Sequence, residues 1–126
     1  MPVLTTPLMY SYGACGTCRK ALAWLKSRGV QPRLIDITLQ PPSPEELAEA
    51  LRQIGDRRPL LNTSGASYRA LGADRVRAMT DAQILEALAA DGRLIKRPFL
   101  VLSDGTILTG FRPEVWETLF PPPQPR

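Results

Sequence analysis

The chain has 126 residues, of which 44% are hydrophobic and 22% are charged. This size and composition predict one globular domain with a single core, and they exclude a disordered tail protein or a fibrous repeat. The formal net charge is +4, from 16 Lys and Arg against 12 Asp and Glu. Because the basic residues are scattered along the chain instead of forming a stripe, we expect no direct nucleic-acid binding.

Histidine is absent and cysteine occurs only twice. The lack of histidine excludes Ser-His-Asp and Cys-His catalysis and His-ligated zinc. Two cysteines are too few for a disulfide scaffold, and the segment 1–13 lacks the charged start and long apolar run of a signal peptide. No stretch reaches the roughly 18 apolar residues that span a bilayer. The sequence therefore predicts a soluble, cytosolic protein that does not bind membranes.

The first part of the chain is predicted to form a strand, a helix and a second strand. The aromatic segment 7–12 leads into a turn at Gly13, as a buried strand would. Apolar residues at helical spacing predict a helix over 18–26, and Gly29 marks its end. Segment 33–37 predicts the second strand. A helical crossover places such strands parallel and side by side.

The middle of the chain is predicted to be an all-helical insertion, over about 43–92. Ser43 and Pro44 have the residue types of an N-cap and a first helical position, and the helix that they begin should end near Ile54. Short helical pieces are expected after it. Thr80 predicts the N-cap of a further amphipathic helix.

The last part of the chain predicts a β-hairpin and a helix. Segments 99–102 and 106–109 flank an Asp104-Gly105 step, which is typical of a hairpin turn. Segment 113–120 predicts the final helix, and the proline-rich residues 121–126 are expected to form a flexible tail.

The predicted element order is βαβ, then helices, then ββα. This is the order of a thioredoxin-like α/β fold with a helical insertion between its two halves. Residues 1–120 are therefore expected to form one domain.

Cys15 and Cys18 form a C-x-x-C pair at the junction of the first strand and the first helix. Unpaired N–H groups at a helix N-terminus lower the pKa of a thiol, and we expect Arg19 and Lys20 to add positive charge. Cys15 is therefore the predicted nucleophile, and Cys18, one turn later, its disulfide or resolving partner. There are two alternatives to a redox pair: the cysteines are two unrelated free thiols, or they are two of the four ligands of a zinc site. A zinc site would lack ligands, because there is no second C-x-x-C and no histidine.

Two X-Pro bonds follow arginines, at Arg97-Pro98 before the third strand and at Arg112-Pro113 before the last helix. In a thioredoxin-like fold the loop before the third strand faces the C-x-x-C loop, and its proline is normally cis. Pro98 is the candidate. Both arginines are expected to converge on Cys15, where guanidinium groups suit a tetrahedral oxyanion or a carboxylate such as those of glutathione. Solvated surface arginines are the alternative.

Three sequence blocks, in order and at consistent spacing, resemble the arsenate reductase family of thioredoxin-fold proteins, including its Spx/MgsR branch. They are 12–21 with 24–25, 60–65 with 68–69, and 95–98 with 110–113. The second and third blocks are also similar to thiol reductases of this family without clear arsenate activity.

The resemblance to the glutaredoxin-coupled arsenate reductases implies that Cys15 attacks arsenate and that glutathione resolves the adduct. Three arginines assist in those enzymes. Arg97 and Arg112 match two of them, and Asn62 stands at the third position. Cys18 stands where a serine is usual.

The Spx branch carries the C-x-x-C pair as a redox switch and binds the C-terminal domain of the RNA polymerase α subunit. Asp56 stands where that branch has a glycine on its polymerase-facing surface.

We therefore expect a thiol or arsenate reductase linked to glutathione and glutaredoxin or to thioredoxin, with no bound cofactor or metal. The alternative is an Spx-like redox-sensing regulator that binds the RNA polymerase α subunit. The predicted catalytic residues are Cys15, Cys18, Arg97 and Arg112, and the predicted substrate-binding residues are Gly16, Thr17, Arg19, Asn62 and Pro98.

Overall fold

The computed structural model describes residues 6–122. It contains four strands and six α-helices in these residues, together with 3₁₀ turns at Arg58–Leu60 and Gly92–Leu94. In chain order the elements are β1 (Leu8–Ser11), α1 (Gly16–Ser27), β2 (Arg33–Asp36), α2 (Pro44–Ile54), α3 (Ala66–Leu71), α4 (Ala73–Ala78), α5 (Asp81–Ala90), β3 (Phe99–Val101), β4 (Ile107–Thr109) and α6 (Pro113–Leu119).

The four strands form one sheet in the order β2-β1-β3-β4. β1 and β2 are parallel neighbours, as predicted, and β3 is antiparallel to both β1 and β4. The predicted thioredoxin-like α/β fold is therefore confirmed.

Alternating residues of the central strands serve two separate cores. Met9 and Leu100 face one side and pack with α1 and α6, around Trp116. Tyr10 and Phe99 face the other side and pack against the helical insertion. Successive side chains of a strand point to opposite faces of the sheet. Two residues of each strand therefore suffice to pack against the helices on both faces.

Several predicted boundaries agree with the structure. α2 ends at Ile54 and is capped by Ser43, whose hydroxyl accepts a hydrogen bond from the Glu46 N–H at 3.1 Å. Thr80 caps α5 with a capping box. α1 instead begins at Gly16, two residues earlier than predicted, because its exposed first turn carries no apolar periodicity.

The helical insertion is tied to the strand half at one isolated antiparallel bridge, Leu61 with Ile95. The Asn62 N–H donates to the Leu94 carbonyl and the Lys96 N–H to the Leu60 carbonyl, each at 2.9 Å. This bridge departs from the all-helical prediction. It brings residues 60–62 beside the loop before β3.

The proline-rich tail follows α6 and Phe120. Of the predicted tail, Pro121 and Pro122 are described and exposed, whereas 123–126 lie outside the described residues, as do 1–5. Among the helices of residues 6–122, none has the length and apolar character needed to cross a membrane.

Candidate active site

The turn between β1 and α1 places Cys15 at the first end of the helix. The Cys15 N–H donates to the Tyr12 carbonyl at 2.9 Å and closes the turn. Cys15 is the N-cap residue of α1 and its backbone is extended, but its side chain does not cap the helix. The half-buried sulfur is therefore available to other partners.

The pKa of Cys15 is lowered by its neighbours. Burial by itself raises the pKa, but the nearby backbone N–H and thiol of Cys18 and the nearby guanidinium of Arg97, with its positive charge, outweigh it. The expected role of Arg19 differs, because its Nη1 donates to the Gly13 carbonyl at 2.9 Å. Arg97 thus supplies the positive charge at this thiol.

Cys18 behaves in the opposite way. Burial raises its pKa, and the neighbouring Cys15 raises it further, against the lowering effect of hydrogen bonds involving the Tyr12 backbone and the Ser11 hydroxyl. The side chain is 2% exposed. Cys15 therefore ionises at a lower pH than Cys18, which keeps its proton.

A cavity of about 430 Å³ opens beside Cys15. Its walls come from the start of α1, the loop after the Leu61 bridge, the loop before β3 and the segment between β4 and α6. Three lining residues are cationic and none is acidic. The lining residues are Cys15, Thr17, Asn62, Ser64, Lys96, Arg97, Gly110, Phe111 and Arg112.

Arg97 is held by an aromatic ring and a carbonyl. Its Cζ lies 5.5 Å from the centroid of the Tyr12 ring, a distance at which a cation is attracted to the ring face. Its Nη1 donates to the Arg93 carbonyl at 3.4 Å. Its buried Nε has no hydrogen-bond partner in the described residues. The guanidinium thus retains a donor.

Arg112 is the N-cap residue of α6 and is exposed. Its Nε lies 3.3 Å from Glu114 Oε2 in an ion pair. Arg112 lines the same cavity as Cys15, but part of its charge is offset by that carboxylate, and Arg97 is the arginine that lowers the pKa of Cys15.

Both ends of the Asn62 amide bind the local backbone. Nδ2 donates to the Arg93 carbonyl at 3.1 Å, and Oδ1 accepts from the Ser64 N–H at 3.3 Å. Asn62 therefore shapes the cavity wall while its side chain is occupied.

The ArsC family profile matches residues 10–119. The chain belongs to the ArsC family. YusI of Bacillus subtilis, an uncharacterized protein, is 43% identical over 111 residues, which cover 86% of this chain and 92% of YusI. The arsenate reductase of Rhizobium meliloti is 33% identical over 105 residues, which cover 82% of this chain and 74% of that enzyme.

A crystal structure of an ArsC family related protein from Bacteroides fragilis superposes on this chain with a TM-score of 0.84. The two chains are 34% identical, and the match covers 93% of this chain and 99% of the other. The resemblance to the arsenate reductase family is therefore confirmed at the level of family and fold.

Five of the predicted site residues share one cavity, and four lie elsewhere. The cavity described above is lined by Cys15, Thr17, Asn62, Arg97 and Arg112. A smaller cavity of about 230 Å³ between α1 and β2 is lined by Cys18 and Arg19. Pro98 is buried after the predicted cis bond, and Gly16 is the exposed first residue of α1.

Four further residues line the Cys15 cavity and were not predicted as site residues. Lys96 directly precedes Arg97, Ser64 follows Asn62 by two positions, and Gly110 and Phe111 precede Arg112. All of them lie within the sequence blocks of the ArsC family resemblance. Their position next to the predicted site residues is the sequence feature that could have indicated them. Adjacency in sequence, however, does not show which neighbouring residues face the Cys15 thiol.

Proposed function

We propose that this ArsC family protein is a cytosolic thiol–disulfide reductase with Cys15 as the nucleophile and a glutathione-type thiol as co-reactant. The observation that carries the proposal is the Cys15 sulfur, with its lowered pKa, in one cavity with Lys96, Arg97 and Arg112. A thiolate is the reactive form of cysteine, and a cationic cavity favours anionic reactants.

In the proposed reaction the Cys15 thiolate attacks one sulfur of a disulfide. A mixed disulfide forms, the substrate's S–S bond breaks, and the other half leaves as a thiolate that takes a proton from water. Cys18 then loses its proton, attacks the Cys15 sulfur and releases the second half as a thiol. The resulting Cys15–Cys18 disulfide returns to two thiols when two glutathione molecules, glutaredoxin or thioredoxin supply two electrons.

Arsenate is the second substrate class in this proposal. Its reduction to arsenite consumes two thiols and yields one disulfide and one water. We expect slow turnover, because Asn62 provides no third guanidinium and Arg112 is paired with Glu114. Arg97 would be the principal oxyanion ligand.

The test is glutathione-dependent reduction of hydroxyethyl disulfide, followed as NADPH oxidation through glutathione reductase. Cys15→Ser should abolish turnover, and serine is a good N-cap residue, so the fold should persist. Turnover that survives in Cys15→Ser would show that another group carries the reaction.

Two variants separate the role of Cys18 as resolving thiol from its effect on the reactivity of Cys15. Cys18→Ser and Cys18→Ala both remove the resolving thiol, but serine keeps a hydroxyl that can donate to the Cys15 sulfur. We expect the rate of Cys15 alkylation to fall more in Cys18→Ala than in Cys18→Ser. Equal rates in the two variants would show that donation by residue 18 does not activate Cys15.

A redox-sensing regulator is the second candidate. The supporting observation is that Cys15 and Cys18 share the first turn of α1 and that each thiol shifts the pKa of the other, a proximity that a reversible disulfide requires. Asp56, by contrast, uses its carboxylate to bind the N–H and the guanidinium of Arg58. Binding of the RNA polymerase α C-terminal domain only in one redox state, together with no disulfide or arsenate turnover, would favour this candidate.

A further inference from the structure

Lys96 lines the Cys15 cavity, and its only role so far is to add positive charge there. It is exposed at the surface. Its backbone N–H donates to the Leu60 carbonyl at 2.9 Å, so the main chain at this position is fixed by the bridge to the helical insertion.

The aliphatic part of the Lys96 side chain lies on Gly110. A Cβ atom at Gly110 would stand 2.8 Å from Lys96 Cε and 3.5 Å from Cδ. Gly110 also has a φ of +71°, which glycine adopts without steric cost. The Gly110 N–H donates to the Pro98 carbonyl at 2.9 Å. The lysine stem therefore has a defined surface to lie on, as long amphipathic side chains require.

The charge of Lys96 is not offset by an acid. None of the ion pairs among residues 6–122 includes Lys96. Of the other two cavity cations, Arg97 lowers the pKa of Cys15 and Arg112 is paired with Glu114. Among the described residues, Lys96 is thus the cation of this cavity that neither shifts the pKa of Cys15 nor pairs with a carboxylate.

We propose that Lys96 selects the co-reactant of Cys15, favouring thiols and disulfides that carry a carboxylate close to the sulfur. The inference rests on the proposed function, because it requires Cys15 to be the nucleophile. An ammonium group is a compact charge without the planar fork of a guanidinium. It therefore suits a carboxylate that approaches in more than one orientation, as on a flexible small thiol.

Iodoacetate and iodoacetamide provide a direct test. Both alkylate a thiolate with loss of iodide, but iodoacetate carries a carboxylate where iodoacetamide carries a neutral amide. The measured quantity is the ratio of their second-order rate constants at Cys15, with the site confirmed by peptide mass spectrometry. Using the ratio cancels changes in the ionisation of Cys15.

Lys96→Gln should lower the iodoacetate-to-iodoacetamide ratio about two- to fivefold, the effect of one exposed ion pair. Lys96→Arg should restore most of it. Lys26→Gln, which removes an exposed lysine in the last turn of α1, is the matched control and should leave the ratio as in the wild type.

A second pair of variants tests whether the Lys96 side chain must pack on Gly110. Gly110→Ala and Gly105→Ala both place a side chain on a backbone of positive φ, but a Cβ at Gly105 meets nothing within 4 Å. We expect Gly110→Ala to lower the ratio and Gly105→Ala to leave it unchanged.

The two proposals fail in different ways. If wild-type Cys15 reacts with iodoacetamide no faster than an unfolded thiol, and no disulfide is turned over, the proposed function fails. If Cys15 is reactive but the ratio is the same in wild type and Lys96→Gln, the role of Lys96 alone is overturned.

Discussion

The guanidinium of Arg97 lies over the ring of Tyr12, with Cζ 5.5 Å from the ring centroid. The same guanidinium lies in the cavity beside Cys15, and its N–H groups and positive charge lower the pKa of that thiol. Tyr12 belongs to the turn after β1, and its carbonyl accepts the Cys15 N–H. Tyr12 therefore touches both the thiol-bearing turn and the cation that stabilises the thiolate, which makes it a positioning residue.

Replacing Tyr12 with leucine should weaken this arrangement. A cation–π contact at an exposed site contributes about 0.5–1 kcal/mol, and its loss leaves Arg97 less well held. The pKa of Cys15 should then rise toward that of an ordinary thiol. The pH dependence of iodoacetamide alkylation measures it, and Tyr12→Phe, which keeps the ring, is the control. A Tyr12→Leu profile that matches the wild type would remove Tyr12 from this role.

The two cysteines predict opposite pH dependences of stability. The pKa of Cys15 is lower in the folded protein than the ordinary 9.0 of a thiol, so its ionisation contributes stability that is present above 9.0 and is lost as the pH falls through the folded-state pKa. The pKa of Cys18 is raised. Its contribution is present below 9.0 and is lost as the pH rises through its folded-state pKa.

Urea denaturation under reducing conditions tests these signs. The unfolding free energy of the wild type relative to Cys15→Ser should increase as the pH rises toward 9.0. The wild type relative to Cys18→Ser should lose stability above that pH. A pH-independent difference for Cys15→Ser would contradict the lowered pKa.

Gly92→Ala should be strongly destabilising. A Cβ atom at Gly92 would lie 1.8 Å from the carbonyl oxygen of Ile37 and 2.7 Å from its carbon, and backbone atoms cannot move aside as a flexible side chain can. We expect a loss of about 3 kcal/mol in unfolding free energy, the upper end of the usual cost of overpacking. Gly13→Ala is the control, since a Cβ there meets nothing within 4 Å. Equal losses in the two variants would be evidence against this close packing.

The same variant should affect the site. The residue after Gly92 is Arg93, whose carbonyl accepts hydrogen bonds from both Asn62 and Arg97. Displacing this segment should therefore also slow alkylation of Cys15 at neutral pH, in whatever fraction of Gly92→Ala remains folded.

Asn62→Arg should add a cation to the cavity wall but remove the two hydrogen bonds of the Asn62 amide. At about 0.5–1.5 kcal/mol for each bond, we expect lower stability. Asn62→Ala loses the same bonds without gaining a charge. One charge-assisted contact of about 1.5–3 kcal/mol corresponds to a rate factor of roughly ten or more. Glutathione-dependent arsenate reduction should thus be about tenfold faster in Asn62→Arg than in Asn62→Ala, and equal rates would show that this wall does not contact the oxyanion.

The sequence by itself determined the features that depend on neighbouring residues. The caps Ser43 and Thr80, the hairpin step Asp104-Gly105 and the placement of Cys15 at a helix start follow from short-range chemistry. The order of these elements, with the spacing of three sequence blocks, was enough to predict the thioredoxin-like fold and the family.

Only the tertiary structure decided how charge is distributed around Cys15. Arg19 is close in sequence but its guanidinium donates to the Gly13 carbonyl, whereas Arg97, from the loop before β3, lines the cavity of Cys15 and lowers the pKa of its thiol. Lys96 enters the same cavity because Gly110 leaves room for its stem. These contacts join segments far apart in the chain, and their distances depend on sheet register and on the Leu61 bridge to Ile95, which no local pattern of residues specifies.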